Sequence, residues 1–252
     1  MRLSSKKLTT ALALTLAATM VLGSAMGVLA ADADVSVSDN KITFGAGEGG
    51  DPTAPVDPEK PDLGVDPDEK EKVTENTGAL RLDVVPVFDF GTKSITTGEK
   101  KYTAELPKDK TANEEIPYYV QVTDLRGTGA GWHLSAKMTS QFSDGTHSLN
   151  GATINLSNVA TAAQDGTTAP STTFDGKLEY DSASGGSTTL TLASAATNEG
   201  MGVSAVRFGD TARYSSSLTA DKSVELTIPA ATQVYAETYV ATIQWTLGAV
   251  PK

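Results

Sequence analysis

The C-terminal run Tyr239 to Lys252, YVATIQWTLGAVPK, constrains the fold more than any other stretch. Tyr239, Ala241, Ile243, Trp245 and Leu247 fall on one side of a two-residue repeat, and Val240, Thr242, Gln244 and Thr246 on the other. That is the pattern of a half-buried β-strand, because successive side chains of a strand point to opposite faces. The same W-x-L spacing occurs upstream as Trp132 and Leu134 in GTGAGWHLSAKM, and these are the only two tryptophans in the chain. Any fold must place both strands.

From Thr77 onward the chain reads as short strands separated by turns. ALRLDVVPVFDFG puts Leu80, Leu82 and Val84 on one face before Pro86 interrupts, and IPYYVQVTDLRGTG alternates Tyr118, Val120 and Val122 with Tyr119, Gln121 and Thr123. Further strands are expected over Trp132 to Met138, Ala152 to Leu156, Thr188 to Leu192, Ser204 to Phe208 and Ser223 to Ile228, with turns such as SDGTHSLNG and DSASGGS between them. The Ala-, Thr- and Gly-rich stretch from Ala160 to Thr173 reads as a long loop. No segment keeps a helical repeat. About eight or more short strands predict an all-β domain, an antiparallel β-sandwich or a related barrel.

The N-terminal part divides into three segments. Residues 1–30 have the layout of a secretory signal peptide: basic Arg2, Lys6 and Lys7, an apolar Ala-rich run from Leu8 to Leu29, and small residues at Ala30. Threonines dilute the apolar run, which favours cleavage over a membrane anchor. Residues 31–45 form an arm in which VSVSDNKITF alternates enough for a short strand, and residues 46–76 carry five prolines with ten acidic and three basic residues. With hardly any large apolar side chain, residues 46–76 are expected to be a disordered acidic spacer ahead of the domain at 77–252. A calcium-binding loop around Asp62, Asp66, Asp68 and Glu69 is the sharper alternative, but their spacing does not follow a known calcium loop.

Charge and composition narrow the function. The formal net charge is -11, becoming -14 once the three basic residues of the signal are removed. Nucleic acid is therefore not an expected partner, since binding it needs clustered Lys and Arg. An exported domain with no cysteine must stand on its core alone. No catalytic chemistry emerges either. His133 and His147 are the only histidines and lack other ligands at a metal-type spacing, no nucleophile elbow is present, and no cofactor motif follows a strand.

The motifs do carry a resemblance. The chain resembles the WxL-domain proteins of Gram-positive bacteria, cell-surface proteins whose C-terminal domain holds two W-x-L motifs. The likeness runs from about Gly78 to the C-terminus: VPVFDFG at Val85 to Gly91, VTDLRGTGAGWHLSA at Val122 to Ala136, LNGATINLSN at Leu149 to Asn158, and the closing strand with Trp245 and Leu247, in which Tyr239 stands six residues before the Trp. It implies non-covalent attachment to the cell wall with peptidoglycan as ligand. It also implies association with other exported proteins encoded nearby, including a membrane-anchored partner with a WxL-binding domain. With no later membrane-spanning stretch, no sorting signal and no basic wall-binding run, the domain itself is the expected anchor.

Trp132, Leu134, Trp245, Leu247 and Tyr239 are the candidate wall-binding residues. Their faces suit a core as well as an exposed contact, and both roles fit if the two motifs are neighbours. The alternative function is a non-catalytic interaction subunit of a multi-protein surface complex that binds another exported protein.

Overall fold

Alternating apolar residues become strands here, and the turn clusters connect them. The computed structural model describes residues 40–47, 49–50, 53–181 and 186–252, with backbone alone at 181 and 186. The signal-peptide reading, and the arm over 31–39, lie outside the described residues. The chain divides into two units, Met1–Thr43 and Phe44–Lys252. Of the first, residues 40–43 carry no strand.

In the second unit the strands, in chain order, are β1 (Glu71–Val73), β2 (Leu80–Pro86), β3 (Lys100–Thr103), β4 (Lys108–Asp109), β5 (Glu114–Glu115), β6 (Tyr119–Asp124), β7 (Trp132–Ser143) and β8 (Thr153–Leu156). They continue as β9 (Val159–Ala163), β10 (Thr172–Thr173), β11 (Gly176–Asp181), β12 (Gly186–Ser187), β13 (Leu190–Ala195), β14 (Gly202–Phe208), β15 (Val224–Ile228) and β16 (Val240–Gly248). A single helical turn, α1 (Ala220–Ser223), precedes β15. Three sheets have the orders β1-β2-β6-β14-β9, β10-β13-β7-β16 and β12-β11-β8-β15-β3, and β4-β5 is a separate hairpin. The pairings are antiparallel throughout the described residues, as the sequence predicts.

One apolar core joins the three sheets. Leu82, Val120, Val122 and Phe208 enter from the first, Trp132, Leu134, Met138 and Leu192 from the second, and Ile154, Leu178, Leu226 and Ile228 from the third. Burying large apolar side chains stabilises by about 1.5–3 kcal/mol each before chain entropy is subtracted. The region read as a loop over Ala160 to Thr173 is corrected in part. Val159–Ala163 forms β9, pairing Ala163 with Ser204 through Val159 with Phe208 on β14. Small alanines pack at that edge without the apolar alternation that marks a strand in sequence.

The larger correction concerns the acidic segment. From Thr53 to Asn76 it is not a solvated spacer, because it covers the outer face of the first sheet. All six residues of β6 are buried, so both its faces are packed. The polar residues of that outer face supply what an acidic, proline-broken chain needs. Gln121 accepts a hydrogen bond from Val56 N (2.9 Å) and donates to the carbonyls of Thr53 (3.3 Å) and Ala54 (3.1 Å). Asp83 accepts from Thr53 N (3.0 Å), while Arg81 pairs with Asp83 at 2.8 Å and donates to Thr53 Oγ1 at 2.8 Å. A buried polar group is tolerated when it is hydrogen-bonded, and here strand and segment satisfy each other.

Farther along, Asp57 and Glu59 are fastened to the loop at 211–214. Arg213 lies 2.9 Å from Asp57, 2.8 Å from Glu114 and 3.7 Å from Asp109. Its Nε and Nη1 contacts are close without the alignment of hydrogen bonds, so charge attraction dominates them. Tyr214 Oη donates to Asp57 at 3.0 Å, and Glu59 accepts from Thr211 N at 3.0 Å. The segment then enters the sheet as β1, pairing Glu71 with Pro86 through Val73 with Val84 on β2.

Candidate functional site

The two W-x-L motifs sit on neighbouring strands. β7 and β16 pair along most of their length, with Leu247 opposite Leu134 and Trp245 opposite Ala136. The small alanine beside Trp245 leaves room for an indole. β7 is an inner strand, flanked by β13 and β16, whereas β16 ends its sheet.

That difference separates the two tryptophans. Trp132 and Leu134 have no exposed surface. Trp132 Nε1 donates to Gly200 O at 2.9 Å, so the one polar atom of the indole is satisfied inside the core. Gly200 has φ +66°, and a Cβ there would lie 2.4 Å from that Nε1, so the residue is glycine for both backbone and packing reasons. Trp245 and Leu247 are half-buried. The Trp245 ring packs edgewise on Phe88 at 6.3 Å and obliquely on Phe208 at 6.3 Å, leaving part of it in solvent. Of the five residues chosen from sequence, Trp132 and Leu134 are core.

Trp245 forms part of an open cleft of about 550 Å³. Leu82 and Val85 of β2 share its apolar wall, and Lys72, Thr74, Glu75 and Asn76 supply a polar rim. Thr74 Oγ1 and Asn76 Nδ2 both donate to Leu82 O, at 2.6 and 3.1 Å, which fixes the rim against β2. Lys72 and Glu75 are exposed and take part in no ion pair among the described residues. An apolar wall beside a few polar and charged groups is the composition of a small-ligand site. The rim residues were missed in the sequence because they lie in the acidic segment. The signal available was the alternation of Glu71 and Val73 with Lys70 and Lys72 just before NTG, which is the β1 pattern diluted by charge.

At the root of that rim Glu71 is buried. Burial pushes its carboxyl well above the usual carboxylate range, against the hydrogen bond it accepts from Tyr119 N at 3.0 Å, and the charge of Asp68 pushes it up further. Its second oxygen and Tyr119 Oη have no hydrogen-bond partner among the described residues.

Tyr239 lies apart from Trp132 in its role. It is half-buried, and its hydroxyl accepts the backbone N–H of Tyr235 at 3.0 Å. His133 is half-buried and bonds Val250 O through Nδ1 at 2.7 Å. No group of three or more His, Cys, Asp or Glu among the described residues could hold a metal ion, and no helix among them is long and apolar enough to cross a membrane. Asp62 instead accepts from Asp165 N at 3.0 Å.

A family model described as WxL domain surface cell wall-binding matches residues 31–251. No curated protein and no solved structure matches the chain.

Proposed function

Because the chain belongs to the WxL domain surface cell wall-binding family and so is a surface protein that binds the cell wall, we propose that the Trp245 cleft is where it does so, with peptidoglycan as the ligand. The observation that carries this reading is the half-exposed indole beside a rim whose Lys72 and Glu75 have no ion-pair partner among the described residues. Peptidoglycan offers sugar rings for the indole and charged peptide stems for the rim. Attachment is non-covalent, the chain reaches the surface through the signal at residues 1–30, and it acts without catalysis.

The test is cosedimentation of the chain, without residues 1–30, with isolated Gram-positive walls before and after their anionic polymers are stripped. Binding should survive stripping and be lost in Trp245→Ala while the circular dichroism spectrum is kept. Undiminished binding by Trp245→Ala would remove the cleft from consideration.

A second reading rests on β16 ending its sheet. An exposed strand edge can take up a strand from another protein. The chain would then act as an interaction subunit that binds another exported protein, including a membrane-anchored one, and its affinity for naked walls would be weak.

A further inference from the structure

A second cleft lies beyond the far end of the β7/β16 ribbon. The turn after β7 carries His147, and the loop before β16 carries Tyr235, whose rings stack at 3.9 Å with an interplanar angle of 25°. They border a cleft of about 390 Å³ that Ser148, Asn150, Thr232 and Gln233 also line. We propose that this cleft is a separate binding site for a neutral, N-acetylated sugar ring, with the stacked His147–Tyr235 pair as its platform and the side-chain amides and hydroxyls as its polar contacts. It rests on the wall-binding reading for its choice of ligand, but on different residues.

Three observations support the assignment. The first is that the platform is held open rather than collapsed. Tyr235 keeps 39% of its surface exposed although its backbone N–H is tied to Tyr239 Oη on the core side. The second is that the histidine is fixed from below. Asp144 accepts from His147 N at 2.6 Å and lies 2.9 Å from Nδ1, while Ser143 Oγ donates to His147 O at 2.9 Å. Hydrogen bonds from His147, the backbone one first, hold the Asp144 carboxyl down at about 2, so it anchors the ring as an anion at ordinary pH. Thr232 Oγ1 donates to Asn150 O at 2.7 Å and joins the two lining loops. Preorganised aromatic groups bind with little ordering cost.

The third is the chemistry of the lining. Among the described residues no Asp, Glu, Lys or Arg lines this cleft, unlike the one at Trp245 with Lys72 and Glu75. An anionic ligand would find no Lys or Arg in the lining, and the nearest carboxylate, Asp144, is already engaged by His147. A sugar ring presents polarised C–H groups to the negative face of an aromatic ring, and its hydroxyls and acetamido group match the Asn, Gln, Ser and Thr side chains. The two clefts are displaced along β7 by the seven residues from Ala136 to Ser143, about 23 Å at strand spacing. On a repeating polymer, two such sites reinforce each other.

The experiment is a nuclear magnetic resonance titration of the chain without residues 1–30 with soluble N-acetylglucosamine oligomers. It follows the His147 ring protons, the Tyr235 amide and the Trp245 indole N–H. Saturable shifts of the His147 and Tyr235 signals are expected, with affinity falling about tenfold or more in Tyr235→Ala and kept in Tyr235→Phe. Shifts confined to Trp245, or none at His147 and Tyr235 at millimolar sugar, would overturn the second site. Neither outcome touches the Trp245 reading, which stands or falls on sedimentation of Trp245→Ala with walls. Should Tyr235→Ala bind the oligomer like the unaltered chain, the platform assignment is equally wrong.

Discussion

Trp132 and Trp245 share a three-letter motif and an inward-facing strand side, yet one is sealed in the core and the other borders a cleft. The strand's place in its sheet makes the difference. β7 has a partner on each side and the core beneath it, so every atom of Trp132 finds protein, down to Nε1 on Gly200. Among the described residues β16 has a partner on one side only, and its indole reaches the edge of the core, where the cover is the rim formed by residues 72–76. A motif shared between an inner and an edge strand therefore has two settings, sealed in the core for the first and partly open to solvent for the second, where the proposed contact lies.

Trp132→Ala is the largest expected break in that comparison. Deleting a fully buried indole costs about 3–5 kcal/mol, because the cavity cannot close around it. Urea unfolding should show that loss, and a loss under about 1 kcal/mol would mean the site is not the packed core described. Wall binding in this variant should fall only as the folded fraction falls.

Arg213→Ala comes next and acts on the cover over Trp245. It leaves Asp57 buried beside Tyr214 Oη without its nearest cation, at a cost of about 2–3 kcal/mol, lower than for a bare buried charge because neutral donors remain. Loosening residues 53–76 should raise acrylamide quenching of Trp245, measured in a Trp132→Phe background, and leave Trp132 shielded in a Trp245→Phe background. Equal changes at both tryptophans would erase the distinction between them.

Trp245→Ala should cost only about 1–2 kcal/mol, since part of the ring is already in water. Thermal unfolding would read a small shift, in contrast to that of Trp132→Ala. A cost as large as that of Trp132→Ala would make both motifs structural.

How much of this was legible from sequence follows from the same physics. The paired W-x-L strands and the all-β character were readable because a two-residue repeat of large apolar residues has few other solutions. That the motifs adjoin was an expectation, and the β7/β16 register places Leu247 opposite Leu134. Which tryptophan would be exposed was not readable, since Ile243, Trp245 and Leu247 alternate as cleanly as Trp132, Leu134 and Ala136, and sheet order is a long-range property. The acidic segment misled because composition counts the apolar area a chain can bury, and this segment is held by polar groups. Arg81, Asp83, Gln121 and Thr123 fall on the side of their strands that reads as solvent-facing, and they hold the segment instead, Asp83 and Gln121 through its backbone N–H groups and Arg81 and Thr123 through the Thr53 hydroxyl. The stacked His147 and Tyr235 are 88 residues apart, and nothing local to either predicts the other.

The smallest effect, and the finest probe of the comparison, is expected from Glu71→Gln. Glu71 opens β1, immediately before the rim that covers Trp245, and it is buried with its carboxyl pushed well above the usual range. A carboxyl raised on folding binds its proton more tightly in the folded state. Its contribution is therefore fully present below the unfolded pKa, near 4.5, and is lost as pH rises through the folded value. The unaltered chain should lose stability as pH rises above the unfolded value toward the raised folded one, and Glu71→Gln, neutral and close in shape, should flatten that slope. The loss should register first at β1 and the rim, so Trp245 fluorescence should respond to pH while Trp132 does not. Urea midpoints at several pH values, taken with the two single-tryptophan backgrounds, measure both halves. A slope that persists in Glu71→Gln would assign the pH response elsewhere, and a response at Trp132 equal to that at Trp245 would show that β1 is coupled to the whole core rather than to the cleft.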